Sequence, residues 1–324
     1  MNGKAEFVEE MLAGISLAHG EVRRVGPGGR GVVRSQPGGG VGVVSGGGSG
    51  HLPLFLGYVG PGMLSGCAVG EIFASPSQAA IAATARAVDA GRGVLFVYGN
   101  YMGDILNFDA AALELEAAGI ETRTVVLADD VASAEEREER RGVGGLFFAI
   151  KAAGAVADAG GDLDAVARAA GKAGERCASV GAAWSGAQLP TTGALSFTLA
   201  DGEMDWGVGI HGERGVERKT MVTAREMAWD MVAALAGDLG LARGQSVAAL
   251  VNTLGSTSLE ELYVLYGGVH AALAERGVGV HRALVGPWAT CFDMAGASLT
   301  LLTLDEELRR WIDAPARPVL ANVR

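Results

Sequence analysis

Residues Val41 to Ser77 read VGVVSGGGSGHLPLFLGYVGPGMLSGCAVGEIFASPS, and this stretch decides the fold. It opens on a short β-branched run, Val41-Gly42-Val43-Val44, and passes at once into Ser45-Gly46-Gly47-Gly48-Ser49-Gly50-His51. So many glycines in a row pack as neither helix nor strand, and the pattern predicts a strand that ends in a loop lined by backbone. Glycines let the main chain come close to a small polar ligand and aim N–H groups at its oxygens. His51 is the first side chain after them that can move a proton. A Gly/Ser run standing alone reads as a flexible surface loop, but here a strand precedes it and ordered apolar sequence follows.

The same unit repeats downstream. Ser75-Pro76-Ser77 predicts a helix start, with a serine as N-cap and Pro early in the first turn, and the alanine-rich segment to Ala90 continues it. Val94 to Val97 reads as a buried strand that ends in the polar loop Tyr98 to Asp104, and a helix follows over 106–117. Thr122 to Leu127 is a third strand. Strand, loop and helix in alternation predict a mostly parallel sheet flanked by helices, with ligands collecting at the carboxyl ends of its strands.

The remaining segments fill in around that core. An amphipathic helix spans Glu6 to Ala18, and Gly/Pro-rich sequence runs from Arg23 to Gly40. The run EEREERR, Glu135 to Arg141, reads most simply as a solvated segment of mixed ion pairs. Helices are predicted at 146–159 and 163–177. The Gly- and Pro-broken segment Ala182 to Thr192 then marks a boundary between two α/β domains, residues 1–182 and 183–324. Beyond it come Leu195 to Leu199, Gly207 to Gly212, strands at 247–252, 280–284 and 299–302, and helices at 224–236, 259–276 and 306–312.

Composition narrows the function. With 324 residues, 49% of them hydrophobic, the chain can bury two cores, yet no apolar run is long and uncharged enough to span a bilayer. Its opening, MNGKAEFVEEM, lacks the basic start and apolar core of a signal peptide, so the cytoplasm is expected. Cys67, Cys177 and Cys291 have no metal-ligand spacing and read as buried thiols. A net charge of −11 argues against nucleic acid as a partner. Gly207-x-Gly209-x-x-Gly212 fits a dinucleotide pattern formally but opens no long helix, and no P-loop occurs. No nucleotide site and no metal site is therefore expected on this chain. What stands out is His51 on the first Gly-rich loop, Asp104 on the second polar loop, and His211 inside Val208 to Glu213. A histidine flanked by glycines is sterically open, as a nucleophile must be.

These residues carry a resemblance. Ser45 to Pro53 (SGGGSGHLP), Phe73 to Ser77 (FASPS), Asn100 to Phe108 (NYMGDILNF), Gly207 to Glu213 (GVGIHGE) and Met294 to Leu302 (MAGASLTLL) resemble, in order, the substrate-binding subunit of dihydroxyacetone kinases, the DhaK family. The resemblance implies a two-domain α/β protein that holds a short ketose as a hemiaminal on a histidine ring nitrogen, here His211. It places the acid–base pair on His51 and Asp104 and the substrate-binding positions on Gly48 and Ser75, with Gly47 beside them. It also implies a homodimer and a separate nucleotide-binding kinase subunit that carries ATP or ADP with Mg²⁺. Gly99, Met102 and Leu52 depart from the family's usual Lys, Thr and Glu, so erythrulose fits the expectation as well as dihydroxyacetone. A ketose-sensing regulator without transfer activity is the alternative.

Overall fold

The computed structural model describes every residue except Met1, Lys4, Ala5, Thr191, Asn322 and Arg324. Two compact units divide the chain: residues 1–127, 149–172 and 310–324 form one, and 128–148 with 173–309 the other.

The first unit begins with α1 (Phe7–Ala18), the strands β1 (Val22–Val25), β2 (Gly31–Arg34), β3 (Gly42–Gly47) and β4 (Gly66–Val69), and the helix α2 (Gln78–Val88). It continues through β5 (Val94–Gly99), α3 (Met102–Ala117) and β6 (Thr122–Leu127). The sheet order is β1-β2-β4-β3-β5-β6. Strands β4, β3, β5 and β6 run parallel, and the β1–β2 hairpin pairs antiparallel on one side. β3 and β5 are buried along their whole length, as inner strands of a parallel sheet covered on both faces must be. Val44, Phe96, Tyr98 and Phe108 pack with Ile81 and Ala85 of α2 to form a core on one face.

The second unit takes up the chain at Ala128, and α4 (Gly145–Asp158) and α5 (Leu163–Glu175) each begin in one unit and end in the other. Then follow β7 (Cys177–Ala183), β8 (Glu203–Trp206), β9 (Glu217–Thr220), α6 (Ala224–Asp238), β10 (Ser246–Thr253), α7 (Leu259–Glu275), β11 (Gly279–Gly286), β12 (Gly296–Thr303) and α8 (Glu306–Asp313), which returns to the first unit at Arg310. The order β11-β10-β12-β7-β8-β9 is largely antiparallel, with only β10 and β11 parallel. Thr223 and Ser258 start α6 and α7 with capping boxes closed by Glu226 and Glu261. Met231, Leu235, Leu265 and Val269 of those helices cover the sheet.

Both domains are thus α/β, the first with a mostly parallel sheet, as expected. Several local features depart from what the sequence predicts or add to it. The contacts do not divide after residue 182, because Cys177–Ala183 is the fully buried inner strand β7 and the described residues of the Gly/Pro segment after it form a loop within the second unit. Helix α5 stops at Glu175, short of Cys177. Arg23 to Gly40 holds the β1–β2 hairpin, its turn supplied by Gly26, Gly28 and Gly29 at positive φ. The N-cap of α2 is Ser77, whose hydroxyl accepts from the Ala80 N–H, so Pro76 precedes the cap. Leu195 to Leu199 forms no strand beyond a bridge from Gln188 to Leu195. All three cysteines are buried and free. Among the described residues, no helix is long and apolar enough to cross a membrane.

Candidate functional site

β3 delivers the glycine loop, but the glycines are there for reasons other than a free backbone cradle. None of Gly46, Gly47, Gly48 and Gly50 takes a positive φ. Each is instead a point of close approach. A Cβ on Gly47 would lie 2.2 Å from the Phe55 ring, one on Gly48 2.5 Å from the Ile72 carbonyl, and one on Gly50 2.5 Å from the Phe73 ring. The N–H groups of Ser49 and Gly50 donate to the carbonyls of Glu71 and Ile72 at 3.0 and 2.7 Å. Those two donors therefore face the protein and not a ligand, which corrects the expectation for this part of the loop. His51 closes a short 3₁₀ turn, is 0% exposed, and packs its ring against Phe73 and Phe55 at 5.3 and 6.2 Å between centroids. Phe55 holds φ at +64°, a costly conformation for a bulky residue and a mark of a constrained site.

Asp104 does not lie on a loop. Helix α3 starts at Met102, so Asp104 sits in its first turn, 5% exposed, where the helix dipole favours a carboxylate. The strand before it ends at Gly99, leaving only Asn100 and the N-cap Tyr101 as connection. Burial raises the Tyr98 phenol well above its ordinary value, with the negative charges of Asp109 and Asp104 adding to it. Ser75 reaches the same place. Its hydroxyl lies 2.7 Å from where a Cβ on Gly103 would stand, so only glycine leaves room for it beside Asp104. The segment from Gly70 to Ser75 thus touches both the glycine loop and the start of α3. Met102 is 71% exposed and turns its side chain to solvent, so the departure there leaves the interior unaltered.

His211 belongs to the second unit. Its loop is bounded by Gly207 and Gly212 at φ +78° and +73°, and Gly212 also packs against Ser196, 2.8 Å from its would-be Cβ. The His211 N–H donates to Glu213 Oε2 at 3.0 Å, and ring Nδ1 stands 3.3 Å from Oε1, with the imidazole 21% exposed. Burial alone would raise the Glu213 carboxyl; the side-chain hydrogen bond with His211, the charge that ring carries when protonated, the Glu213 backbone N–H and Arg141 hold it down at about 2. Arg141 donates from Nη2 to the Gly207 carbonyl at 2.7 Å and is itself held by Asp130, 0% exposed, at 2.8 and 3.0 Å. Burial lifts the Asp130 carboxyl to about 6 against the pull of Arg141. The run Glu135 to Arg141 is therefore not simply solvated: Arg137 reaches the Gly174 and Cys177 carbonyls and Arg140 pairs with Asp238. Glu213 was legible as an acid two residues from a histidine in a glycine-bounded loop; Asp130 and Arg141 carried no local signal.

Gly47, Gly48, His51, Ser75 and Asp104 are thus carried by one unit and His211 by the other. Among the described residues no group of three or more His, Cys, Asp or Glu side chains could hold a metal ion. A Dak1 domain model matches residues 13–319. The chain belongs to the Dak1 domain family. This Dak1 chain is 42% identical over 320 residues to the PTS-dependent dihydroxyacetone kinase 2, dihydroxyacetone-binding subunit DhaK, of Listeria innocua, covering 97% of the one and 96% of the other. It is 44% identical over 319 residues to a D-erythrulose kinase of Mycolicibacterium smegmatis, covering 97% of this chain but only 55% of that protein, so it spans about half of that relative's length. Among solved structures, a dihydroxyacetone kinase operon co-activator, Dha-DhaQ, superposes with a TM-score of 0.90 at 32% identity, over 95% of this chain and 96% of that one. The resemblance read from the motifs is therefore a family membership.

Proposed function

We propose that this chain is the ketose-binding component of a dihydroxyacetone-type kinase, with His211 as covalent anchor and His51 and Asp104 as the acid–base pair. The observation that carries the reading is the pairing of His211 Nδ1 with Glu213 in an open glycine-bounded loop. A neutral ring that donates Nδ1–H to Glu213 keeps its lone pair on Nε2. Nε2 adds to C2 of the ketose, the carbonyl π pair moves to oxygen, that oxygen takes up a proton, and the Nδ1 proton leaves to Glu213. The product is a neutral hemiaminal. A polyol such as glycerol has no electrophilic carbon and gains nothing from this step. In the transfer step the ketose hydroxyl oxygen attacks the donor's terminal phosphorus, the bond to the leaving oxygen breaks, and Asp104 takes the hydroxyl proton with His51 assisting. Gly47, Gly48 and Ser75 hydrogen-bond the substrate. The donor, ATP or ADP with Mg²⁺, resides on a separate nucleotide-binding subunit, and the chain itself is a homodimer. The names of the relatives support either dihydroxyacetone or erythrulose as the ketose.

A crystal soaked in dihydroxyacetone or erythrulose tests the anchor. Continuous density from the His211 ring to C2 is expected; ordered ketose at van der Waals distance from an unmodified ring would sink the covalent reading. A second reading, a ketose sensor that transfers no phosphate, draws on the likeness to the operon co-activator. Turnover on reconstitution with a nucleotide-binding subunit excludes it.

A further inference from the structure

We propose that Arg141, fixed by Asp130, is the positioning residue that sets the tautomer and orientation of His211. The inference rests on the reading of His211 as the ketose anchor and extends it to residues that the motifs do not include.

Arg141 is tethered on its backbone and its side chain alike. Its carbonyl accepts from the Asp130 N–H at 3.0 Å, and its own N–H donates to Ser133 Oγ at 2.9 Å. Ser133 Oγ in turn donates to the Asp130 carbonyl at 2.8 Å. The guanidinium meets Asp130 Oδ2 through both Nε and Nη2, while Asp130 Oδ1 accepts from the Ala132 N–H at 3.2 Å. A carboxylate buried this completely holds one geometry, and the planar fork transmits it. From that fixed point Nη2 grips the Gly207 carbonyl, the first residue of the His211 loop.

The other branch of the fork does the second job. A Cβ on Gly209 would stand 2.9 Å from Arg141 Nη1 and 2.7 Å from Glu213 Oε2, so guanidinium and carboxylate flank the same bare backbone position. The charges alternate along Asp130, Arg141 and Glu213 and end on the His211 ring. Arg141 holds the carboxylate in the place where it meets both the His211 N–H and Nδ1. Without it, Gly207 loses its donor and Glu213 loses the charge that fixes its rotamer, and the ring can then take the other tautomer, whose lone pair faces Glu213.

The test uses the full chain labelled with ¹⁵N-histidine. The chain has five histidines, so His211→Asn assigns the His211 signals by their loss. In the ligand-free protein the ring is expected as the Nδ1–H tautomer, and an Nε2–H tautomer there overturns the inference before any further variant is made. Arg141→Gln and Asp130→Asn should each blur that signature and weaken ketose binding by roughly 10- to 100-fold, with glycerol binding changed by no more than about twofold. Arg141→Lys, which keeps the charge but loses the fork, should recover only part of the loss. If Arg141→Gln fails to fold, the isosteric Asp130→Asn carries the test. A folded variant with native tautomer and native ketose affinity refutes the positioning role. The anchor reading fails separately, on His211→Asn binding ketose as tightly as the native chain does.

Discussion

Gly209→Ala perturbs the His211–Glu213 pair while leaving the fold almost untouched. Gly209 has no positive φ, so alanine costs nothing in backbone conformation. Its methyl group would stand 2.7 Å from Glu213 Oε2, 2.9 Å from Arg141 Nη1 and 3.2 Å from Arg141 Cζ. Ordinary heavy-atom contacts begin near 3.5 Å, so the two ends must retreat by about 0.5 Å or more. Arg141 is held by Asp130, so Glu213, the tip of a flexible side chain, makes the larger move. Glu213 Oε2, however, accepts the His211 N–H at 3.0 Å, and a retreat of that size takes the bond past hydrogen-bonding distance. A hydrogen bond to a charged group contributes about 1.5–3 kcal/mol, and the 37% exposure of the Glu213 side chain brings the loss to about 1 kcal/mol. Ketose affinity should fall by roughly tenfold, since misorienting a reacting group costs at least as much as the contact that held it. Calorimetric titration with dihydroxyacetone and with glycerol, beside thermal melting, reads both effects. Gly267→Ala serves as control: it lies within α7 with nothing near its would-be Cβ, and should gain roughly 0.5–1 kcal/mol of stability with ketose binding unaltered. Native ketose affinity in a folded Gly209→Ala protein would refute the claim that Glu213 orients His211.

Four further outcomes follow from the same geometry. Asp104→Asn keeps the size and hydrogen bonding of the side chain, so ketose binding should persist while reconstituted turnover falls by about 10²-fold or more; near-native turnover would make Asp104 structural. Gly103→Ala places a methyl 2.7 Å from the Ser75 hydroxyl and should weaken ketose binding without lowering the melting temperature by more than a few degrees; unchanged binding would remove Ser75 from the substrate's contacts. The purified chain given ATP and Mg²⁺ should phosphorylate no ketose, because its sequence holds no phosphate-binding loop, and turnover without a partner would overturn the division of labour. Glu213 is held at about 2 against an ordinary 4.5, so its contribution to stability is complete above that ordinary value and drains as pH falls towards 2. Denaturant unfolding of the native protein should weaken over that window, and Glu213→Gln should remove this part of the slope; an identical slope in both would show that the pairing is absent in solution.

Where a strand carries a run of β-branched residues, the sequence was readable: β3, β5, β6 and β10 lie within a few residues of their expected places. Where small residues fill a strand because a neighbour comes close, it was not. β7, CASVGAA, shows no alternation, yet it is a fully buried inner strand of its sheet; Gly181 is required because a Cβ would meet the Val208 carbonyl at 2.7 Å. The β1–β2 hairpin hid in the same way behind glycines whose purpose is its turn. Gly103 breaks the helical pattern and so points to a loop at Asp104, but the reason for that glycine, the Ser75 hydroxyl, is 28 residues away in sequence (103 − 75). His51 and His211 were legible because a histidine set among glycines has little to pack against within its own segment. Arg141 was not, because a charge run records nothing of the buried acid that one of its members meets.

The two histidines are housed differently, and the difference is the one their proposed roles demand. A nucleophile that forms a bond to carbon must be reachable by a ligand and keep one nitrogen unprotonated, which a partly exposed ring with Nδ1 against a carboxylate provides. A proton carrier has the opposite need: shielding from water, so that its proton passes to the substrate and not to solvent. His51 is fully buried against two phenylalanine rings, and the glycines before it let the backbone of Gly70 to Ser75 close over it without a gap. The glycine loop therefore acts less as a cradle of N–H groups than as a hinge of small residues that brings two segments into contact, one carrying His51 and one carrying Ser75. A side chain at Gly48 or Gly50 would push those segments apart, and with them the proton carrier and the hydroxyl that sits beside Asp104.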